Sequence, residues 1–450
     1  MQRRHRATTN NEHVLKSLML DALSSVPLSA IAPRETIMKR PETFEVQLPN
    51  SDAPPLNQGA SGRCWIYSGL NVVGRLMAKQ QHKNKKQGAV VPLSHAFVFF
   101  HAWLEKCNSA LETSAHMLST KQMPSADWTL MMKNTLSDGG TWDAFVTVIE
   151  KHGVVPAAAF PDSVPARASA ELNQILNIIV RTAVAEMMQK EMTHRNAVKS
   201  KAMQRVLETL QALLGTPPER AVGDMDPRDY FARHVRPCLT AKKFVCLADD
   251  PRKPRQQRFW TQYGYTVIDH AKLKRRYGND LGRYVGNVFW NARSAASLQA
   301  AAKRSLDQGC PVWFSCDVRK FYSSKALVMN ATASRMDVLT GDDVWTAPKG
   351  LLYDSGVIEN LHAMTLVGYD AASDTWKIEN SWGEVDALVM TSKWFERFVV
   401  SIVVPLDCLD APDRRRAYYD SDADNKNQEG SMTPVWDLYA SPQSSRCCCC

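Results

Sequence analysis

The spacing of apolar residues changes its period once along this chain, and that change limits the folds open to it. Before Gly309 apolar positions recur at three and four residues, so that in CWIYSGLNVVGRLMAK the side chains of Ile66, Leu70, Val73 and Met77 fall on one helical face. PLSHAFVFFHAWLEKCN gives a second apolar helix over 92–108, capped by Ser94. DGGTWDAFVTVIEKHGVVP reads as a glycine turn, a third helix and a Gly–Pro stop. After Gly309 the segments PVWFSCDV, HAMTLVGYD, TWKIENSWG and FVVSIVVPL are short, β-rich and separated by turn residues. Helices gathered in one part of the chain and strands in another predict an α+β fold.

With 450 residues the chain is long for one core, and composition shifts suggest its divisions. Residues 1–50 form an N-terminal extension in which 11–31 hold a short amphipathic helix ending before Pro27, and 51–160 carry the three helices above. Residues 161–300 read as a mostly helical insertion followed by a Leu298–Gln308 helix, and 301–410 as the β-rich part. Residues 411–450 hold a polar linker, an arm (PVWDLYAS) and a tail ending in four cysteines.

Charge is concentrated in the insertion, where 23 Lys and Arg face 13 Asp and Glu, an excess of +10 against +9 for the whole chain. The run 251–276 alone sets eight cations against one anion, a face that could attract nucleic acid. No apolar run reaches the roughly 18 residues of a membrane span. The opening MQRRHRATTN lacks the apolar stretch of a secretory leader, and the eleven cysteines show no disulfide framework, which together suggest a reducing, cytoplasmic setting. No CxxC pair and no HExxH is present, so neither a metal nor any other cofactor is expected.

Cys64 stands where the glycine-rich loop NQGASGR meets a helix, and a thiol at a helix N-terminus meets free N–H groups and the positive dipole end, which favour thiolate. Most cysteines are simply small buried hydrophobes. Here the neighbours argue for a nucleophile: Arg63 adjoins the cysteine, Gln58 lies six residues upstream, and Gly59 to Gly62 let backbone approach a ligand. Of eleven histidines, His362 alone opens a strand whose hairpin partner carries a matching polar residue. A hairpin symmetric about residue 371 sets His362 opposite Asn380, which would accept one imidazole N–H and aim the other nitrogen at a thiol. Trp382 and Trp376 would shield that bond, while the Gln58 amide and the Cys64 N–H would form an oxyanion hole.

NQ-x3-GRCWIYSGLN, HAMT and ENSWG resemble the papain-type cysteine peptidases, more closely their bleomycin hydrolase/aminopeptidase C branch. The separation of 298 residues between Cys64 and His362 exceeds the spacing of about 130–150 in ordinary papain-like enzymes and leaves room for the helical insertion of that branch. The resemblance extends through LSHAFVFFHAWLEKCN, PVWFSCDV and SMTPVWDLYAS, from about Leu23 to Ser441. It implies a papain-like two-lobed fold, with the nucleophile in a helical lobe (51–160) and His and Asn in a β-rich lobe (301–410). Cys64 would be the nucleophile, His362 the general base and acid, Asn380 its orienting residue and Gln58 the oxyanion donor, with Trp382 and Trp65 in support.

The resemblance further implies a cytosolic homohexamer acting as an aminopeptidase on peptide substrates, its C-terminal arm lying in the cleft. Bleomycin and homocysteine thiolactone would be further substrates, and some relatives bind DNA or RNA through a basic channel. This chain departs from the pattern in the residues after its arm, which would crowd the cleft, exit it or be trimmed, and an endopeptidase is favoured if the arm is displaced. Cys447, Cys448, Cys449 and Cys450 offer sites for lipidation and hence membrane association, although CCCC lacks the aliphatic middle of a prenylation box. After ENSWG the chain is short, and Glu384 and Asp386 could alter the cleft edge. A nucleic-acid-binding protein using the basic insertion is the competing reading.

Overall fold

The computed structural model describes chiefly residues 43–49, 55–83, 91–119, 136–240, 244–249, 258–260, 288–320, 327–331, 349–359, 361–383 and 387–411. The C-terminal arm, Cys447 to Cys450, Glu384, Asp386 and most of the basic run 251–276 lie outside the described residues. So does the 11–31 segment, except for a few exposed helical positions between Val14 and Ser25.

Helix α1 (Cys64–Lys83) buries the predicted stripe: Ile66 and Val73 are fully covered, and Leu70 and Met77 nearly so. Helix α2 (His95–Ser119) starts at the expected cap, where Ser94 Oγ accepts the Phe97 N–H at 3.0 Å, and continues past Asn108 because Ala110, Leu111 and Ser114 keep its buried face going. Helix α3 (Trp142–His152) is capped by Thr141 and stopped by Gly153, whose φ of 78° suits a residue without a Cβ. The next two helices, α4 (Ala170–Gln189) and α5 (Met192–Leu214), pack on each other and on α2. Asp226 caps the short α6 (Pro227–His234), accepting two backbone N–H groups at 2.8 Å.

The span 161–300 does more than add helices. It supplies strands β2 (Phe244–Asp249), β3 (Arg258–Trp260) and β4 (Val288–Arg293), which extend one edge of the main sheet. The apolar run Val245–Ala248 is too short for periodicity to distinguish strand from helix, so the sequence reading of a mostly helical span did not place these strands. Helix α7 (Ala295–Asp307) leads into β5 (Val312–Cys316). The two-residue strands β6 (Tyr322–Ser323) and β7 (Val328–Met329), then β8 (His362–Asp370), β9 (Thr375–Glu379), β10 (Leu388–Thr391) and β11 (Val399–Pro405) complete the path β3-β4-β2-β11-β5-β8-β9-β10-β7-β6. Strand β1 (Val46–Gln47) joins the sheet against β8, where a Cβ on Gly368 would meet the Val46 carbonyl at 2.5 Å. Packing of α1 on β5 and β8 brings the first helix against the strand that begins with His362. No helix among the described residues is long and apolar enough to cross a membrane.

The β8–β9 register differs from the symmetric hairpin expected of the sequence. Pairing runs Asp370 with Thr375, Tyr369 with Trp376 and Gly368 with Lys377, then shifts to Leu366 with Ile378 and Thr365 with Glu379. Continued past Glu379, that register sets Asn380 opposite Met364, two positions from His362 instead of directly across. An offset of two keeps both side chains on one face. The bulge at Val367 is what makes the offset even; without it Asn380 would point to the opposite side of the sheet from His362.

Candidate active site

The loop before Cys64 is laced to the turn after β9. Gln58 N–H donates to the Ser381 carbonyl at 2.8 Å, Gly383 N–H to the Leu56 carbonyl at 2.9 Å, and Asn57 and Trp382 form a β-bridge between them. Gly59 turns the chain with φ 64°, and a Cβ there would strike the Arg167 carbonyl, so both conformation and space require glycine. Arg63 is fully buried and forks onto Asp162 with bonds of 2.7 and 2.9 Å. It also donates to the Gln58 carbonyl at 3.2 Å and to Ser61 Oγ at 3.0 Å, and its guanidinium lies 5.3 Å from the ring centres of both Tyr67 and Phe99. Burial raises the Asp162 carboxyl, but the Arg63 ion pair and the Tyr67 hydroxyl outweigh it and hold the group low.

Cys64 is the first residue of α1 and is 8% exposed. Burial pushes its thiol up to about 11; the N–H groups of Ala363, Trp65 and Cys64 itself pull the other way, and the Asp138 carboxylate adds to the rise. Desolvation therefore exceeds the helix N-terminus effect on which the sequence expectation of thiolate rested, and the thiol needs a proton acceptor. The Ala363 backbone belongs to the residue after His362, and the helix that Cys64 opens packs on that strand.

His362 opens β8, and its Nε2 lies 2.7 Å from Asn380 Oδ1. A carbonyl oxygen only accepts, so Nε2 carries the proton and Nδ1 is left as the basic nitrogen. Burial lowers the imidazole to about 4, with the Asn380 bond opposing the fall. Trp382 stacks on the ring, with centroids 4.5 Å apart, and Tyr322 packs on Trp382 in turn. Trp376, expected to share in that shield, instead lies in the core against Phe395 and donates to Ser392 Oγ at 2.9 Å.

Gln58 is 5% exposed; its Oε1 accepts the Ser381 hydroxyl at 2.6 Å and its Nε2 donates to the Ser61 carbonyl, leaving one amide hydrogen unassigned. Trp65 is fully buried, and its Nε1 donates to the Asp138 carbonyl at 2.9 Å. Sequence reasoning named Gln58, Cys64, His362, Asn380, Trp65 and Trp382 but missed Ser381, Asp162, Asp138 and Lys106. Ser381 sat inside the ENSWG motif. The others are brought in from 31 to 99 residues away, with no local signal of their partners.

An α1 N-terminal thiol packed against a strand that opens with an Asn-bonded imidazole defines the class of papain-like cysteine peptidases. The chain belongs to the Peptidase C1-like family, whose model matches residues 4–437. Bleomycin hydrolase of Homo sapiens is 26% identical over 437 residues, covering 90% of this chain and 89% of its own. Aminopeptidase C of Lactococcus lactis subsp. lactis is 28% identical over 383 residues, 79% and 81% of the two chains. The solved structure of PepW from Lactobacillus rhamnosis superposes with a TM-score of 0.74 over 89% of this chain and 90% of its own, at 24% identity, and so shares the fold.

Proposed function

We propose that the protein is a cysteine aminopeptidase working through Cys64, His362 and Asn380. The observation that carries this reading is the 2.7 Å bond from His362 Nε2–H to Asn380 Oδ1, beneath Trp382, on the strand against which the helix that opens with Cys64 packs. Nδ1 of His362 takes the thiol proton as the sulfur attacks the substrate carbonyl, and the imidazolium then protonates the leaving amine. The free amide hydrogen of Gln58 and the Cys64 N–H receive the oxyanion, with Ser381 and Ser61 holding the carboxamide. Water next hydrolyses the thioester with His362 as base. Burial of both groups matters here: it opposes charge on either one alone, so the thiol proton passes to the imidazole within the pair.

The names of the relatives, bleomycin hydrolase and aminopeptidase C, support removal of N-terminal residues and hydrolysis of bleomycin. Homocysteine thiolactone offers the same nucleophile a comparable activated carbonyl. Seven free thiols among the described residues support a cytoplasmic setting. The six-copy assembly implied by the resemblance is tested by the mass of the protein in solution. The function itself is tested with amino-acid arylamides: wild type hydrolyses them, and Cys64→Ala loses turnover with an unchanged melting temperature. Normal hydrolysis by that variant would reject the assignment, and rapid cleavage of N-acetylated peptides would turn it into an endopeptidase.

A further inference from the structure

Helix α1 carries a second stripe beside its apolar one. Cys64, Ser68, Asn71 and Arg75 follow one another at four, three and four residues, so the nucleophile heads a polar row on one face of the helix. The three residues after it all bond the β8–β9 pair. Ser68 Oγ donates to the Met364 carbonyl at 2.8 Å and lies 3.0 Å from Thr365 Oγ1. Asn71 Nδ2 donates to Glu379 Oε2 at 2.8 Å, and Arg75 forks onto both oxygens of the same carboxylate, its Nε 3.2 Å from Oε2. Arg75 also donates to the Pro49 carbonyl at 2.6 Å. Thr365 and Glu379 are themselves cross-strand partners, the pair that ends the β8–β9 ladder. The polar row therefore lands on one spot of the sheet, three residues after His362 and one before Asn380.

That spot matters because Asn380 stands just past the last ladder pair. Its chain neighbours are both tied to the helical wall: Glu379 through its carboxylate to Asn71 and Arg75, Ser381 through its carbonyl to the Gln58 N–H. We infer that Glu379 is a positioning residue for the reaction, whose carboxylate fixes the end of β9 on the helix that opens with Cys64. Asn380 then holds the His362 ring at a set place relative to the sulfur. The inference rests on the cysteine peptidase reading and deepens it. All side-chain hydrogen bonds of Glu379 go to α1, so it acts through Asn380 and not on substrate. With the Arg75 side chain only 9% exposed, the fork is largely out of water, where a two-pronged charged contact keeps its geometry. Strand and helix are thereby locked in register at the point where the two halves of the proton-transfer pair meet.

The test compares wild type with Glu379→Gln and Glu379→Ala on alanine 4-nitroanilide, together with the rate at which iodoacetamide alkylates Cys64 at pH 6, followed by peptide mass spectrometry. Glutamine keeps one carbonyl oxygen for Asn71 or Arg75, and alanine keeps none. Glu379→Ala is expected to lower kcat by about 10- to 100-fold with KM unchanged, the scale of a displacement near 1 Å at the reacting groups, and to slow alkylation of Cys64 by a similar factor. Glu379→Gln recovers part of both losses. Removing the carboxylate also leaves Arg75 without its anion, so the melting temperature falls under a purely structural role as well. The decisive readouts are therefore kcat against KM and the alkylation rate, both taken on folded protein below the melting transition. Wild-type kcat and alkylation in Glu379→Ala, or a loss carried by KM alone, would overturn the inference. If Glu379→Ala is unfolded at the assay temperature, Glu379→Gln decides in its place: it should still lose kcat severalfold, and wild-type values overturn the inference. Turnover that survives alkylation of Cys64 in wild type would reject the thiol mechanism itself; that result needs no variant and is distinct from failure at Glu379.

Discussion

The two walls of the site are held in place by different physics. The helical wall, from Asn57 through the start of α1, is braced by buried charge: Arg63 on Asp162, and Lys106 on the carbonyls flanking Asp138. The β wall is set by register and by uncharged contacts: an even offset created by one bulge, an amide on an imidazole, and an indole stacked above. Charge networks hold a nucleophile rigidly but fail abruptly when one partner is removed, since the other is left unpaired in low dielectric. Register tolerates side-chain loss because the backbone ladder remains. Loss of a charged partner on the helical wall should therefore act on stability and activity together, and loss of an uncharged side chain on either wall on activity alone.

The largest effect that sharpens this contrast is expected from Arg63→Met. It strands Asp162 and frees the Gln58 and Ser61 contacts, and should destabilise the protein by about 3–5 kcal/mol in denaturant titration. A shift under about 1 kcal/mol would break the comparison, since it falls within the range of an exposed pair. Gln58→Ala is expected to lower kcat by roughly 10²–10³ with an unchanged melting temperature, because one oxyanion donor is lost without unpairing a charge. Ser381→Ala, which only frees the Gln58 carboxamide to turn, should cost a smaller factor of about ten in kcat, since one neutral hydrogen bond is removed. An effect equal to that of Gln58→Ala would mean that the hydroxyl acts directly.

Acid should act on both walls, because histidines on the helical side and His362 on the β side are lowered alike. His95 and His362 are lowered to about 4, and His101 well below its ordinary value, in each case chiefly by burial. The unfolded chain takes up protons from about pH 6.5, whereas the folded protein does not until near pH 4. Stability is therefore full above pH 6.5 and falls as pH drops towards 4, each such group contributing a slope of up to about 1.4 kcal/mol per pH unit. Melting temperatures measured from pH 7 to 4.5 check this, and His101→Phe should flatten the curve. A stability flat over that range would show that these rings are charged when folded.

The same contrast explains what could be read in the sequence. Cys64, Gln58 and the α1 stripe were legible because each signal is local: a glycine loop, a helix start, a period of three and four. His362 and Asn380 were legible as a pair because a hairpin keeps sequence neighbours close in space. The reading gave the correct face and hydrogen-bond partner from a register two residues off, since an extra residue at Val367 leaves no mark in an apolar run. Asp162 and Asp138, which lie 99 and 76 residues from the groups they bond, look like ordinary surface carboxylates until the fold delivers them. The sheet strands within the insertion were hidden for a related reason, being short and paired to distant segments.

Alkylation of Cys64 in wild type and in His362→Ala addresses the coupling of thiol and imidazole most directly. The protein would be treated with limiting iodoacetamide between pH 6 and 8, and modification of each cysteine followed by peptide mass spectrometry. Wild type should react first at Cys64 and keep that reactivity at pH 6, where an isolated thiol near 11 is inert, while His362→Ala should react at least a hundredfold more slowly. Equal rates in the two proteins would contradict the account.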